Sequence, residues 1–82
     1  MLKVSVISPE RVLFEGESDS VVAPAYDGLV GILTGHAPML TLLGRGQLRL
    51  GGGQRFTVEG GFLQVVDNYV RVVTERARAV GG

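Results

Sequence analysis

The sequence predicts an all-β fold, a flattened β-sandwich or barrel of about nine or ten short strands. Three observations lead there. Apolar and polar residues alternate with period two in one stretch after another, as in Lys3-Val-Ser-Val-Ile7 and Tyr69-Val-Arg-Val-Val73. Turn signals recur at short intervals, supplied largely by 13 glycines. No fixed-period repeat or low-complexity linker divides the 82 residues, a length that suits a single domain, 1–82.

The strands follow in order. Lys3–Ile7 alternates and ends at Ser8-Pro9-Glu10, a turn signal. Arg11–Glu17 is the second strand, and Gly16 within it predicts a bulge. Ser20–Ala23 is the third, closed by Pro24. Leu29–Leu33 is apolar throughout, so it is expected to be buried. Pro38–Leu43 is the next strand, with Pro38 at its start, where a missing N–H does no harm.

Gly44-Arg45-Gly46 turns the chain into Gln47–Leu50, which sets Leu48 and Leu50 on one face and Gln47 and Arg49 on the other. Gly51-Gly52-Gly53 leads to Arg55–Glu59, and Gly60-Gly61 separates that strand from Phe62–Val66. Asp67-Asn68 is a two-residue hairpin connection, because Asn and Asp tolerate positive φ. The tail from Thr74 to Val80 has the composition of a short helix over residues 75–80, stopped by Gly81-Gly82.

Composition narrows the function. Acids and bases number eight each, so a neutral chain gives no general reason to expect nucleic acid or an anionic membrane surface. Charge is nonetheless uneven. Residues 1–44 hold Glu10, Glu15, Glu17, Asp19 and Asp27 against Lys3 and Arg11, whereas residues 45–82 hold six arginines against three acids. Charge pairing within the folded body is the simplest expectation. There is no cysteine, which excludes disulfides, thiolate nucleophiles and Cys-based metal centres. No apolar run is long enough for a spanning helix, and Met1-Leu2-Lys3 leads into a strand rather than a signal peptide. A cytosolic setting is expected.

Chemical sites are poorly supported. The glycine clusters precede strands rather than helices, so they suit hairpins and not phosphate loops. Glu15, Glu17 and Asp19 share a face of an extended strand; such a row can bind a hard cation, but more often it guards a sheet edge. His36 is the only histidine, and no activated-serine motif accompanies it. Its expected role is to bond its own turn or to face a partner. Neither a cofactor nor a metal is expected. Residues 29–43 are also rich in large apolar side chains, which implies either a strand buried on both faces or an exposed docking surface.

Three ordered blocks then point to one family. They are Val4 to Gly16, the segment Gly28-Leu-Val-Gly-Ile-Leu-Thr-Gly-His-Ala-Pro-Met-Leu40, and Phe56 to Val65 with Tyr69–Val73. From about Leu2 to Ala77 the chain resembles the N-terminal β-sandwich domain of the epsilon subunit of F-type ATP synthases, called delta in mitochondria. The resemblance implies a noncatalytic rotor subunit that binds the foot of the gamma subunit and rests on the polar loops of the membrane c-ring. By position, Tyr26, Asp27, Gly28, Leu29 and Val30 would form the c-ring-facing loop. Gly35, His36, Ala37, Pro38, Met39 and Leu40 would form the gamma-facing turn. The implied location is peripheral, on the cytoplasmic side of the cell (inner) membrane, within the ATP synthase and without membrane insertion.

Two departures matter. Many family members have a polar or acidic residue where this chain has Leu29, so an apolar contact is expected in place of a salt bridge. The family's C-terminal helical pair is expected to be absent, and with it helix-mediated inhibition and nucleotide binding by this polypeptide. Two other readings compete: a free-standing sandwich module that binds an unrelated protein, and a small hydrolase centred on His36.

Overall fold

The computed structural model describes residues 1–80. Among them are eight strands and no helix: β1 (Leu2–Ile7), β2 (Val12–Ser18), β3 (Ser20–Ala25), β4 (Gly28–Leu33), β5 (Met39–Leu42), β6 (Arg45–Leu50), β7 (Arg55–Val66) and β8 (Tyr69–Ala79). Alternation sets the inward faces of β1 and β6, although Ser5 on the opposite face of β1 is buried as well. Leu2, Val4 and Val6 are buried, as are Leu48 and Leu50, while Lys3 and Arg49 face water.

The strands pair in the order β2-β1-β8-β7-β6-β3-β4, and β5 adds to β7. Every pair is antiparallel except β1 with β8, where the first strand lies parallel to the last. The two long strands serve both layers of the sandwich. The second half of β7 lies beside β5, and the first half of β8 lies beside β1, which in turn pairs with β2. The first half of β7 instead joins β6, which leads to β3 and β4. Inward residues from both layers meet in one core, including Val4, Leu63 and Val72 from one side and Val21, Ile32, Leu48 and Val58 from the other.

The corner lies at Gly60-Gly61. Pairing of β7 with β8 runs from Phe56↔Ala79 to Val66↔Tyr69 with no shift of register, yet the inward face changes. Phe56 and Val58 are buried before the corner, Leu63 and Val65 after it. Both glycines have positive φ, 71° and 100°, which L side chains rarely adopt. On β8 the buried Thr74 hydroxyl donates to the Arg76 carbonyl at 2.8 Å and fixes the bend from the other strand.

Three local expectations change. Gly60-Gly61 does not separate two strands; it folds one continuous strand across both layers. Residues 75–80 are not helical, because Thr57, Val58 and Glu59 pair with Arg78, Ala77 and Arg76 and extend the ladder. The helix-stopping role given to Gly81-Gly82 lies outside the described residues. Gly16 is no bulge: it pairs with Val4 in an unbroken run, and the irregularity falls between Val6 and Ile7. Its bareness makes room for the Phe14 ring, which would lie 3.1 Å from an added Cβ. That ring meets Phe56 edge to face at 6.2 Å.

Leu29–Leu33 is also less buried than its composition suggests. β4 is an edge strand; Ile32 alone is buried, Val30 is half-buried, and Leu29 and Leu33 face outward. A core test follows from the fully buried Leu48. Leu48→Ala should destabilise the domain by about 2–4 kcal/mol, read as a shift in denaturant midpoint at constant slope. An unchanged midpoint would mean that the β6 face is misplaced.

Candidate protein interface

Strand β4 carries a turn at each end. At its start, Tyr26 and Asp27 form the tip of the β3–β4 hairpin, closed by the pair Ala25↔Gly28. The tip is tied down from behind: Tyr26 N–H donates to the Leu42 carbonyl at 3.1 Å, and Gly44 N–H donates to the Pro24 carbonyl at 2.7 Å. Tyr26 is 68% exposed and Leu29 76%. Of the segment Tyr26–Val30, only Tyr26 and Asp27 are turn; Gly28, Leu29 and Val30 already belong to β4.

At the far end of β4 the chain reverses through residues 34–38. Gly35 takes φ 87°, and His36 N–H donates to the Leu33 carbonyl at 3.0 Å. The His36 ring lies 2.7 Å, through Nδ1, from the Ala37 carbonyl; a carbonyl only accepts, so Nδ1 is the donor. The imidazole braces its own turn. Gly35, Ala37 and Pro38 are exposed and His36 is half-buried. Pro38 immediately precedes β5, where Met39 packs against the core while Leu40 and Leu42 point outward.

The two segments are thus separated rather than joined. Six residues of β4 at about 3.3 Å each set them roughly 20 Å apart. Outward from β5, Leu40, Thr41, Leu42 and the neighbouring Phe62 line a shallow apolar groove. Phe62 was not a sequence candidate; only the register Leu42↔Phe62 reveals that it shares this face. The sequence marks Asn68 only as a turn former; in the structure its Oδ1 also accepts the Gly35 N–H at 2.7 Å.

The charged residues sort by face. Glu15 and Glu17 lie exposed on the edge strand β2, opposite Ser5 and Lys3. Among the described residues no group of three or more His, Cys, Asp or Glu side chains could hold a metal ion. Five of the six arginines of the second half project from the outer face of the other layer: Arg45 and Arg49 on β6, Arg55 on β7, and Arg76 and Arg78 on β8; Arg71 lies on the first half of β8, beside Ser5 of β1. Arg45 and Glu59 make the one ion pair among the described residues, at 3.8 Å and well exposed, so it adds little stability. Pairing between the acidic and basic halves is therefore not what holds them together.

Known proteins resemble this chain in sequence and in fold. An ATP synthase epsilon chain of Leptospira borgpetersenii is 48% identical over 77 residues, covering 90% of this chain and 61% of the relative. One from Chlorobium limicola is 40% identical and is itself 88% covered. The chain spans about three-fifths of the length of the Leptospira relatives. In fold it matches a chain of the Euglena gracilis mitochondrial ATP synthase OSCP/F1/c-ring assembly, with TM-score 0.86 and 21% identity, over 95% of this chain and 52% of that one. A second match, in the Tetrahymena thermophila mitochondrial ATP synthase central stalk and c-ring, has TM-score 0.77 and 20% identity, over 94% and 65% of the two chains. Residues 1–80 match the family described as the ATP synthase Delta/Epsilon chain, beta-sandwich domain, and the chain belongs to that family.

Proposed function

We propose that this chain is a noncatalytic central-stalk subunit of a proton-translocating F-type ATP synthase, linking gamma to the c-ring and so coupling proton flow to ATP synthesis. It works as a peripheral component on the cytoplasmic side of the cell (inner) membrane, within the complex. Tyr26–Val30 meets the polar loops of the c-ring, and Gly35–Leu40 meets gamma. The observation that carries the reading is the pair of exposed, backbone-tied turns at opposite ends of one strand, each flanked by outward leucines. Large apolar side chains left in water mark surfaces that another protein covers.

A torque-bearing adaptor must also resist deformation. Here β7 and β8 run through both layers, so the two layers cannot slide without breaking one ladder. The His36 imidazole bonds its own turn through Nδ1 and so helps to hold the shape of the docking surface. The names of the epsilon-chain relatives and of the c-ring and central-stalk assemblies agree with this role.

The test is co-purification with separately prepared gamma subunit and detergent-solubilised c-ring. Retention on gamma is expected, with recovery of c-ring through the assembled pair. Association with neither would favour the free-standing binding module.

A further inference from the structure

The link between the gamma-facing turn and the rest of the sandwich comes from a residue that the hairpin itself does not require. In a two-residue hairpin with positive φ at both central positions, glycine is favoured second, since it adopts that conformation without strain. Here Asp67 has φ 49°, and the second position is Asn68, with φ 64°. Asparagine tolerates the conformation less freely than glycine, so its side chain needs another reason to be present.

Asn68 joins three segments. Its main-chain carbonyl accepts the Lys3 N–H at 2.8 Å, which fixes the start of β1 against the hairpin. Its side-chain Oδ1 accepts the Gly35 N–H at 2.7 Å, across 33 residues of chain. The next amide, that of His36, is satisfied within the turn by the Leu33 carbonyl, and the His36 ring is satisfied by Ala37. The turn therefore braces itself locally, and the Asn68 carboxamide sets where it sits on the sandwich. Gly35 adopts φ 87° with no neighbour within 4 Å of an added Cβ, so little packing holds it in place.

We propose that Asn68 is a positioning residue for partner docking: its Oδ1 latches Gly35 and orders residues 35–40 before gamma arrives. The inference rests on the reading that this turn faces gamma. A pre-ordered turn loses less conformational freedom on association, which strengthens binding without a new contact. Asn68 need not touch the partner to act.

Two variants separate the latch from the turn. Asn68→Gly keeps the favoured backbone and removes the acceptor; Asn68→Asp keeps an acceptor oxygen and tolerates positive φ. The first measurement is amide hydrogen exchange at Gly35 by NMR, made on the whole chain. The wild type should show a protected Gly35 amide, and Asn68→Gly should speed its exchange about tenfold or more while the core amides of β7 and β8 stay unchanged. The second is affinity for purified gamma subunit, expected to fall about tenfold in Asn68→Gly and to recover in Asn68→Asp.

An unprotected Gly35 amide in the wild type would overturn the latch whatever the variants do. Fast exchange in Asn68→Gly with unchanged affinity would overturn its role in docking. Failure of the wild type to bind gamma would instead overturn the assignment of the turn to gamma, and this inference with it.

Discussion

Gly61→Ala should destabilise the domain by about 3 kcal/mol or more, the largest loss expected from any single methyl group added to this chain. Two costs combine. The first is conformational: φ at Gly61 is 100°, outside the range that alanine adopts without strain. The second is steric. An added Cβ would run into the Val73 carbonyl oxygen and come within 2.7 Å of the Thr74 Cα, and both belong to backbone. Backbone held in a continuous ladder cannot swing aside as a side-chain tip can.

The clash falls at the corner that lets β7 and β8 serve both layers, so relief by local shift would disturb Phe62↔Val73 and the buried Thr74 together. A domain of 82 residues has total stability on the order of 4–12 kcal/mol, so this one change removes a large share of it. Thermal or denaturant unfolding monitored by circular dichroism reads the effect. A variant as stable as the wild type would mean that the corner is built differently. Gly53 offers the comparison: φ is 96°, but nothing lies within 4 Å of an added Cβ, so Gly53→Ala should show the conformational cost alone.

The second large effect is functional. Leu29→Arg should leave the fold intact and weaken association with the c-ring by roughly ten- to a hundredfold, with a matching loss of coupled ATP synthesis. Leu29 is 76% exposed on an edge strand, opposite Pro24, and exposed substitutions generally move stability by no more than about 0.5 kcal/mol. Burying a leucine side chain at an interface contributes about 1.5–3 kcal/mol, and a guanidinium in its place adds a desolvation cost. An unfolded variant would show that Leu29 belongs to the core. A folded variant that couples normally would remove Leu29 from the c-ring surface.

These two residues also show what the sequence did and did not disclose. From sequence Gly60-Gly61 reads as a break between two strands and not as a corner within one. Positive φ signals a change of direction, and only the constant β7–β8 register shows that the strand continues through it. The tail after Thr74 looks helical in sequence because Glu, Arg and Ala favour helices locally. The ladder supplied by Arg55–Glu59 outweighs that preference, and no pattern within the tail reveals a partner some twenty residues upstream. For Leu29 and Leu33, hydrophobicity alone leaves a buried strand and an exposed docking surface both open. Their exposure depends on β4 lying at an edge, which is a property of the strand order.

What alternation controls was readable in advance. The inward faces of β1 and β6 followed from period two, and the Asp67-Asn68 hairpin followed from residue types that accept positive φ. At the candidate interface, the tip at Tyr26 and Asp27 and the bracing of the turn by His36 follow from local chemistry. The tie from Asn68 to Gly35 does not, since it joins positions 33 residues apart. Phe62 joins Leu40 and Leu42 for the same long-range reason.

The most direct measurement is ATP synthesis driven by an imposed proton gradient in vesicles that carry the enzyme reconstituted with and without this chain. The rotor account predicts that omission abolishes synthesis or leaves proton flow uncoupled from it, and that adding the purified chain restores both. Equal synthesis rates at equal proton flow in the two preparations would contradict it.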